Sequence, residues 1–256
     1  MIPIKDNIAT DRFPFVTLTL IVINVLAYYL AVRHGGSFFG GPTTQEEVKY
    51  GAIPYALTHP GVHCAAVAVP SGEAIGCRNG PVPNTIPTWE TPFTAMFMHA
   101  SFIHIAGNMV FLWIFGNNVE DAMGPPRYLL FYLVGGLAAL ALQVAISPNS
   151  AVPTLGASGA IAAVLGGYIV LYPRARVLTL VIIIVFFTVI ELPALAMLGI
   201  WFAEQALFAA ANLTNPTGGG GGVAYFAHIG GFAFGLLTVR MLATRRKRFP
   251  PPRPVY

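Results

Sequence analysis

Six apolar stretches, each near the length that crosses a bilayer, leave this chain few ways to fold. They cover about 15–32, 93–115, 128–146, 157–171, 194–211 and 224–242. Crossing the hydrocarbon core takes roughly 20 mostly apolar residues, so five are long enough and the fourth is short. Inside lipid a backbone has no water to bond, so each stretch must satisfy its own amides and carbonyls as a helix. Composition points the same way. Only 9% of residues are charged and 55% are hydrophobic, whereas a soluble domain carries about 25% charged residues. The fold expected is all-α: a polytopic membrane protein with a bundle of six transmembrane helices.

Residues 177–190 are strongly apolar but too short for a full span and end at Glu191 and Pro193. They suit a re-entrant or interfacial segment. The basic residues support this reading. With six spans, Lys5, Arg12, Arg127, Arg174, Arg176, Arg240, Arg245, Arg246, Lys247, Arg248 and Arg253 share one side, and only Arg33, Lys49 and Arg78 face the other. The positive-inside rule then places both termini in the cytoplasm, and the expected location is the plasma membrane. A seventh span would turn the cluster at 245–248 outward. Tyr28, Tyr29 and Leu30 are too bulky for a signal-peptidase site, so the first stretch reads as a retained anchor. The net charge of +4 sits at the ends of apolar segments, which argues against a nucleic-acid partner.

The expected organisation is an N-terminal segment (1–14), a membrane domain (15–243) with a long outer loop at 34–90, and a basic, proline-rich tail (244–256). The outer loop holds both cysteines, Cys64 and Cys77, and a disulfide between them is expected on an oxidising face. Residues 212–222 include five consecutive glycines and read equally as a linker or as a mobile cap. The tail reads as a stop-transfer anchor near anionic lipid.

Polar side chains inside a span are costly and therefore point to function. Ser158 opens the fourth stretch between Ala157 and Gly159, and His228 lies early in the sixth. A serine beside a histidine is the minimal activated nucleophile. Gly231 and Gly235 form the small-residue spacing that lets two membrane helices touch. Such contact between the fourth and sixth helices would carry Ser158 to His228. Gly156 and Gly159 equally fit a tightly packed helix face. His104 and Asn108 stand four apart, about 40° apart on one helical face. Their donors suit either an oxyanion clamp or interhelical bonding; beside Ser158 and His228 the clamp is favoured. His99 is expected to point elsewhere. Glu204, inside the fifth stretch, calls for a partner or a wet cavity. Glu120 and Asp121 precede Gly124-Pro125-Pro126 and read as a structured inner turn.

Other proteolytic chemistries lack their residues. No helical H-E-x-x-H occurs, so no zinc site or other metal is expected. The three aspartates, Asp6, Asp11 and Asp121, all lie outside the spans, which excludes an aspartyl dyad. A small transporter would leave Ser158, His228 and Asn108 without a role. A catalytically inactive client-binding relative is the remaining alternative.

Four motifs in order resemble the rhomboid family of intramembrane serine proteases: His104-x-x-x-Asn108, Gly116-x-x-x-Glu120-x-x-x-Gly124, Gly156-Ala157-Ser158-Gly159 and Ala227-His228-x-x-Gly231-x-x-x-Gly235. The resemblance spans about 15–242. It implies a six-helix bundle with a Ser–His dyad, no catalytic acid and no cofactor, acting on transmembrane protein substrates in the bilayer. It implies Ser158 as nucleophile and His228 as base, with His104, Asn108 and the Ser158 amide as oxyanion hole. Gly156, Gly159, Gly231, Gly235 and Glu120 would be structural. Some relatives carry an aromatic four residues after the serine, where this chain has Ala162; the dyad histidine is then either less restrained or held by another ring. The imidazole tautomer is then expected to be fixed by packing or backbone contacts. Where some relatives carry Trp-Arg before the second helix, this chain has Trp89-Glu90.

Overall fold

Long-range hydrogen bonds mark out the two ends of a helical bundle. The computed structural model describes residues 1–70, 72–183, 186–214 and 223–245. The glycine run at 218–222 and the tail at 246–256 lie outside those residues.

Among the described residues, five helices are long and apolar enough to cross a bilayer: α1 (Phe15–Val32), α2 (Phe102–Met123), α3 (Pro125–Ile146), α5 (Ala194–Thr214) and α6 (Tyr225–Leu242). Between α3 and α5 lies the shorter apolar α4 (Ser158–Leu171). The chain is a mostly helical, multi-pass membrane protein. Three helix boundaries have clear local causes. The second apolar stretch begins at Phe93 in the sequence, yet α2 starts at Phe102. Ser101 is extended and its hydroxyl accepts from the His104 amide at 3.2 Å, a side-chain N-cap. Residues 91–97 instead form two short turns, Thr91–Thr94 and Ala95–Phe97. At the far end of α2, Gly124 takes φ +81°, which favours glycine, and Pro125 then opens α3 at a position that needs no amide donor. A π-helical turn, Leu112–Gly116, interrupts α2.

α4 is the centre of the bundle. Every residue from Gly159 to Ile169 is buried, against Phe115 of α2 and Phe131 and Tyr132 of α3. Helices in lipid gain little from hydrophobic sorting and associate through close packing. α6 meets α4 backbone to backbone. A Cβ on Gly231 would collide with the Gly159 carbonyl oxygen, and one on Gly235 with the Ala163 carbonyl.

The segment at 177–190, too short for a span, is built of strands rather than helix. Two strands, β4 (Arg176–Ile183) and β5 (Phe186–Pro193), form a hairpin. The N-terminal strand β1 (Ile2–Asp6) adds to β4, pairing Ile2 with Leu180 and Asp6 with Val177, to give a three-stranded antiparallel sheet. The segment's β-branched and aromatic residues suit a pleated surface, but the strand that completes the sheet comes from the far end of the sequence. A buried polar cluster fastens this sheet to the bundle. Asp6 Oδ2 accepts from Asn118 Nδ2 at 2.7 Å and from the Tyr168 hydroxyl at 2.6 Å. At the same end the Asp11 amide donates to Asp121, and the Thr244 amide to the Ala122 carbonyl.

The opposite end carries residues 34–90. Two short helices, Thr44–Tyr50 and Pro54–Thr58, precede a hairpin of β2 (Val62–Val69) and β3 (Gly72–Asn79). Cys64 and Cys77 face each other in register and are bonded, S–S 2.06 Å. Ala52 and Thr154 exchange backbone hydrogen bonds, which anchor this region to the loop before α4.

Candidate active site

The loop before α4 turns sharply at Gly156. Its φ of +116° favours glycine, and a Cβ there would lie 2.8 Å from both Cε1 and Nε2 of His104. Only glycine lets the chain pass the imidazole and start a helix. The Gly156 amide donates to the Ala95 carbonyl at 2.9 Å, holding the turn. Ser158 is the first residue of α4, so its amide is one that the helix itself leaves without an acceptor. The positive end of the helix dipole lies there too.

His228 sits in the first turn of α6. The approach of α6 to α4 at Gly231 brings the two side chains together: His228 Nε2 lies 2.8 Å from Ser158 Oγ. The imidazole's other nitrogen, Nδ1, lies 2.7 Å from Oε1 of Gln205 on α5. Trp201, one turn before Gln205, tilts 37° to the imidazole with ring centroids 5.9 Å apart. Tyr225 approaches edge-on at 6.5 Å. Trp201 and Tyr225 thus occupy the surroundings of the ring that Ala162 leaves without an aromatic. The contact at Nδ1 is thus a side chain, Gln205, rather than backbone.

A cavity of about 460 Å³ opens on these groups, lined among others by His104, Asn108, Gly156, Ser158, Trp201 and His228. Asn108 is buried, and its Nδ2 has no hydrogen-bond partner among the described residues. An unpartnered amide donor, an imidazole and a helix N-terminus around one hydroxyl can stabilise an oxygen that gains negative charge. The hydroxyl's contact with a second imidazole is the arrangement that activates a nucleophile.

His99 does not point away, as a helical projection from His104 suggests. It lies before α2 begins, so helical spacing does not apply to it. It is fully buried, its ring 5.0 Å from that of His104, and its Nε2 accepts from the Ala157 amide at 3.4 Å. It therefore ties the second helix's entrance to the turn that carries Ser158. Glu204 is exposed on α5 and does not reach the cavity. Its neighbour Gln205 is buried and reaches the His228 imidazole instead. The four-residue spacing of Trp201 and Gln205 on one helical face was the available signal. Glu120 lies at the other end of the bundle, where its carboxylate accepts from the Val16 and Thr17 amides and the Thr17 hydroxyl. Cys64 and Cys77 are in the hairpin of the 34–90 region, apart from the cavity lining.

Known proteins resemble this chain over part of its length. It is 31% identical over 176 residues to RHOMBOID-like protein 12, mitochondrial, of Arabidopsis thaliana, covering 62% of this chain and 48% of that protein. It is 29% identical over 153 residues to Rhomboid protease GluP of Bacillus subtilis, covering 60% of this chain and 24% of that protein. It is 30% identical over 148 residues to Rhomboid protein 1, mitochondrial, of Saccharomyces cerevisiae, covering 55% and 38%. The matches span between a quarter and a half of these relatives' lengths. Two of the three names place their proteins in mitochondria, which overturns the plasma-membrane location expected from the sequence. Charge asymmetry orients a protein in its membrane but does not say which membrane that is. The Rhomboid domain profile matches residues 87–245, more than half of the chain and all of the helices that line the cavity, and the chain belongs to the rhomboid family.

Proposed function

We propose that this protein is an intramembrane serine protease with six spans, the short α4 counted among them, cutting transmembrane protein substrates through Ser158 and His228. The observation that carries this reading is the 2.8 Å contact between Ser158 Oγ and His228 Nε2 inside a cavity that also holds an unpartnered Asn108 donor. Ser158 Oγ attacks a peptide carbonyl as its proton passes to His228 Nε2. The carbonyl oxygen gains the charge and is met by Asn108 Nδ2, His104 and the Ser158 amide. His228 returns the proton to the leaving amine, and water then releases the acyl group by the reverse sequence.

The length of α4 supports a site below the membrane surface. Its 14 residues rise roughly 21 Å, less than the ~30 Å hydrocarbon core. With Leu171 at the surface near the three-stranded sheet, Ser158 lies about 10 Å beneath the opposite surface. Irregular backbone at that depth, such as the loop before Ser158, is tolerated where protein or a wet cavity surrounds it. A substrate helix hides its carbonyls in its own hydrogen bonds and must unwind locally before Ser158 can attack. We place the sheet end, with Lys5, Arg12, Arg127, Arg174, Arg176 and Arg240, on the side where positive charge is retained. The relatives' names favour an organellar membrane.

The test is cleavage of a reporter protein with one transmembrane helix by the full chain in liposomes. Cleavage by the wild type, none by Ser158→Ala or His228→Ala, and fluorophosphonate labelling confined to Ser158 are expected. A folded wild type that neither cleaves nor is labelled would overturn the reading in favour of an inactive, client-binding protein.

A further inference from the structure

A neutral imidazole carries one ring proton. For Nε2 to accept from the Ser158 hydroxyl, that proton must sit on Nδ1. A buried N–H without an acceptor is costly, and the ring would then favour the opposite tautomer, with Nε2 already protonated and unable to act as a base. The site therefore needs an acceptor at Nδ1, and it cannot cheaply be a bare charge at this depth.

Gln205 meets that need. Its Oε1 lies 2.7 Å from Nδ1, and the residue is 8% exposed. A neutral amide oxygen accepts the proton without placing a carboxylate in the bundle. Trp201 stands on the same face of α5, one turn earlier, with its ring beside the imidazole. α5 thus contributes both a wall that limits the ring's tilt and an acceptor that fixes its proton.

We infer that Gln205 is a positioning residue: its amide oxygen holds His228 in the Nδ1–H tautomer and leaves Nε2 free for the Ser158 proton. This rests on the reading of Ser158 as nucleophile and His228 as base. When Oγ forms its bond to the substrate carbon, the carbonyl π pair moves to oxygen and the hydroxyl proton to Nε2. The ring is then cationic with an N–H on each nitrogen. The bond from Nδ1 to Gln205 becomes charge-assisted and strengthens in that state. The amide's contribution therefore falls on the chemical step rather than on substrate binding.

The experiment compares Gln205→Met and Gln205→Glu in the full chain in liposomes, with Ser158→Ala and His228→Ala beside them. Methionine keeps the length of the side chain but offers only a weak acceptor, and a carboxyl oxygen accepts whether ionised or protonated. Gln205→Met is expected to lower kcat at least about tenfold, with KM within about twofold and the thermal midpoint near wild type. Gln205→Glu is expected to recover most of that loss. A Gln205→Met variant with kcat within about twofold of wild type, or a Gln205→Glu variant as slow as Gln205→Met, would overturn the inference. Should Gln205→Met not fold, the nitrogen-15 spectrum of His228 in the wild type decides: a protonated Nδ1 supports the role and a protonated Nε2 rejects it. If Ser158→Ala and His228→Ala still cleave, the dyad reading itself fails. If both are inactive while Gln205→Met is unimpaired, only the positioning role fails.

Discussion

Replacing Glu120 should destabilise the bundle far more than its position at a helix end suggests. α1 begins directly after Pro14, whose side chain makes no cap. The first amides of any helix lack partners within it, and those of α1 enter a buried environment: Thr17 is fully buried and Glu120 is 2% exposed. Glu120 Oε1 accepts from the Val16 amide at 2.8 Å, and Oε2 from the Thr17 amide at 2.8 Å and the Thr17 hydroxyl at 2.7 Å. These are the amides that an N-cap side chain takes, here supplied from another helix, and the negative charge also suits the dipole of α1. Glu120→Ala leaves one buried amide, one part-buried amide and one buried hydroxyl without this acceptor. At about 1–3 kcal/mol for each orphaned donor, with partial compensation among neighbours, the cost is about 3–5 kcal/mol. Glu120→Gln keeps one acceptor oxygen but turns an NH2 towards a donor, and should cost about 2 kcal/mol. Equilibrium unfolding in mixed micelles, followed by circular dichroism, measures both. A loss below about 1 kcal/mol for Glu120→Ala, or a Gln variant less stable than the Ala variant, would refute the account.

Two further outcomes follow from the site and its packing. Asn108→Ala removes the unpartnered donor facing the cavity; kcat for reporter cleavage should fall about 10²–10³-fold. Expression and thermal midpoint should stay near wild type, because no protein hydrogen bond from Nδ2 is lost. Gly235→Ala places a methyl against the backbone of Ala163 and 2.9 Å from the Gly167 amide nitrogen. α6 must then move off α4, with a stability loss of about 1–3 kcal/mol and slower fluorophosphonate labelling of Ser158 as His228 withdraws; unchanged labelling and stability would show that the contact has slack.

Hydropathy marked five long helices and one short one because hydrocarbon forces each apolar stretch to close its own hydrogen bonds, a local requirement written in local composition. Their boundaries shifted only where local chemistry intervened, as at Ser101, whose hydroxyl caps α2 well inside the apolar run. The glycines at 159, 231 and 235 were legible for the same kind of reason: small residues at helical spacing announce close approach, whereas Gly156 lies outside the helix and serves the turn before it. The sequence also singled out Ser158, His228, His104 and Asn108, since polar groups in a span stand out against their surroundings. Their distances, however, depend on how α4 and α6 cross. Tertiary structure alone decided the remainder. β1 meets β4 across most of the chain's length, and Asp6 meets Tyr168 across 162 residues. Glu120 was visible as a polar residue, but its partners at the start of α1 were not. His99 escaped a helical projection because it precedes the helix. Gln205 was passed over beside the more conspicuous Glu204, because charge draws attention in an apolar helix while orientation decides contact. Which of two neighbouring polar residues meets His228 is set by the rotation of α5 about its axis, and that rotation is fixed by the helices packed around it.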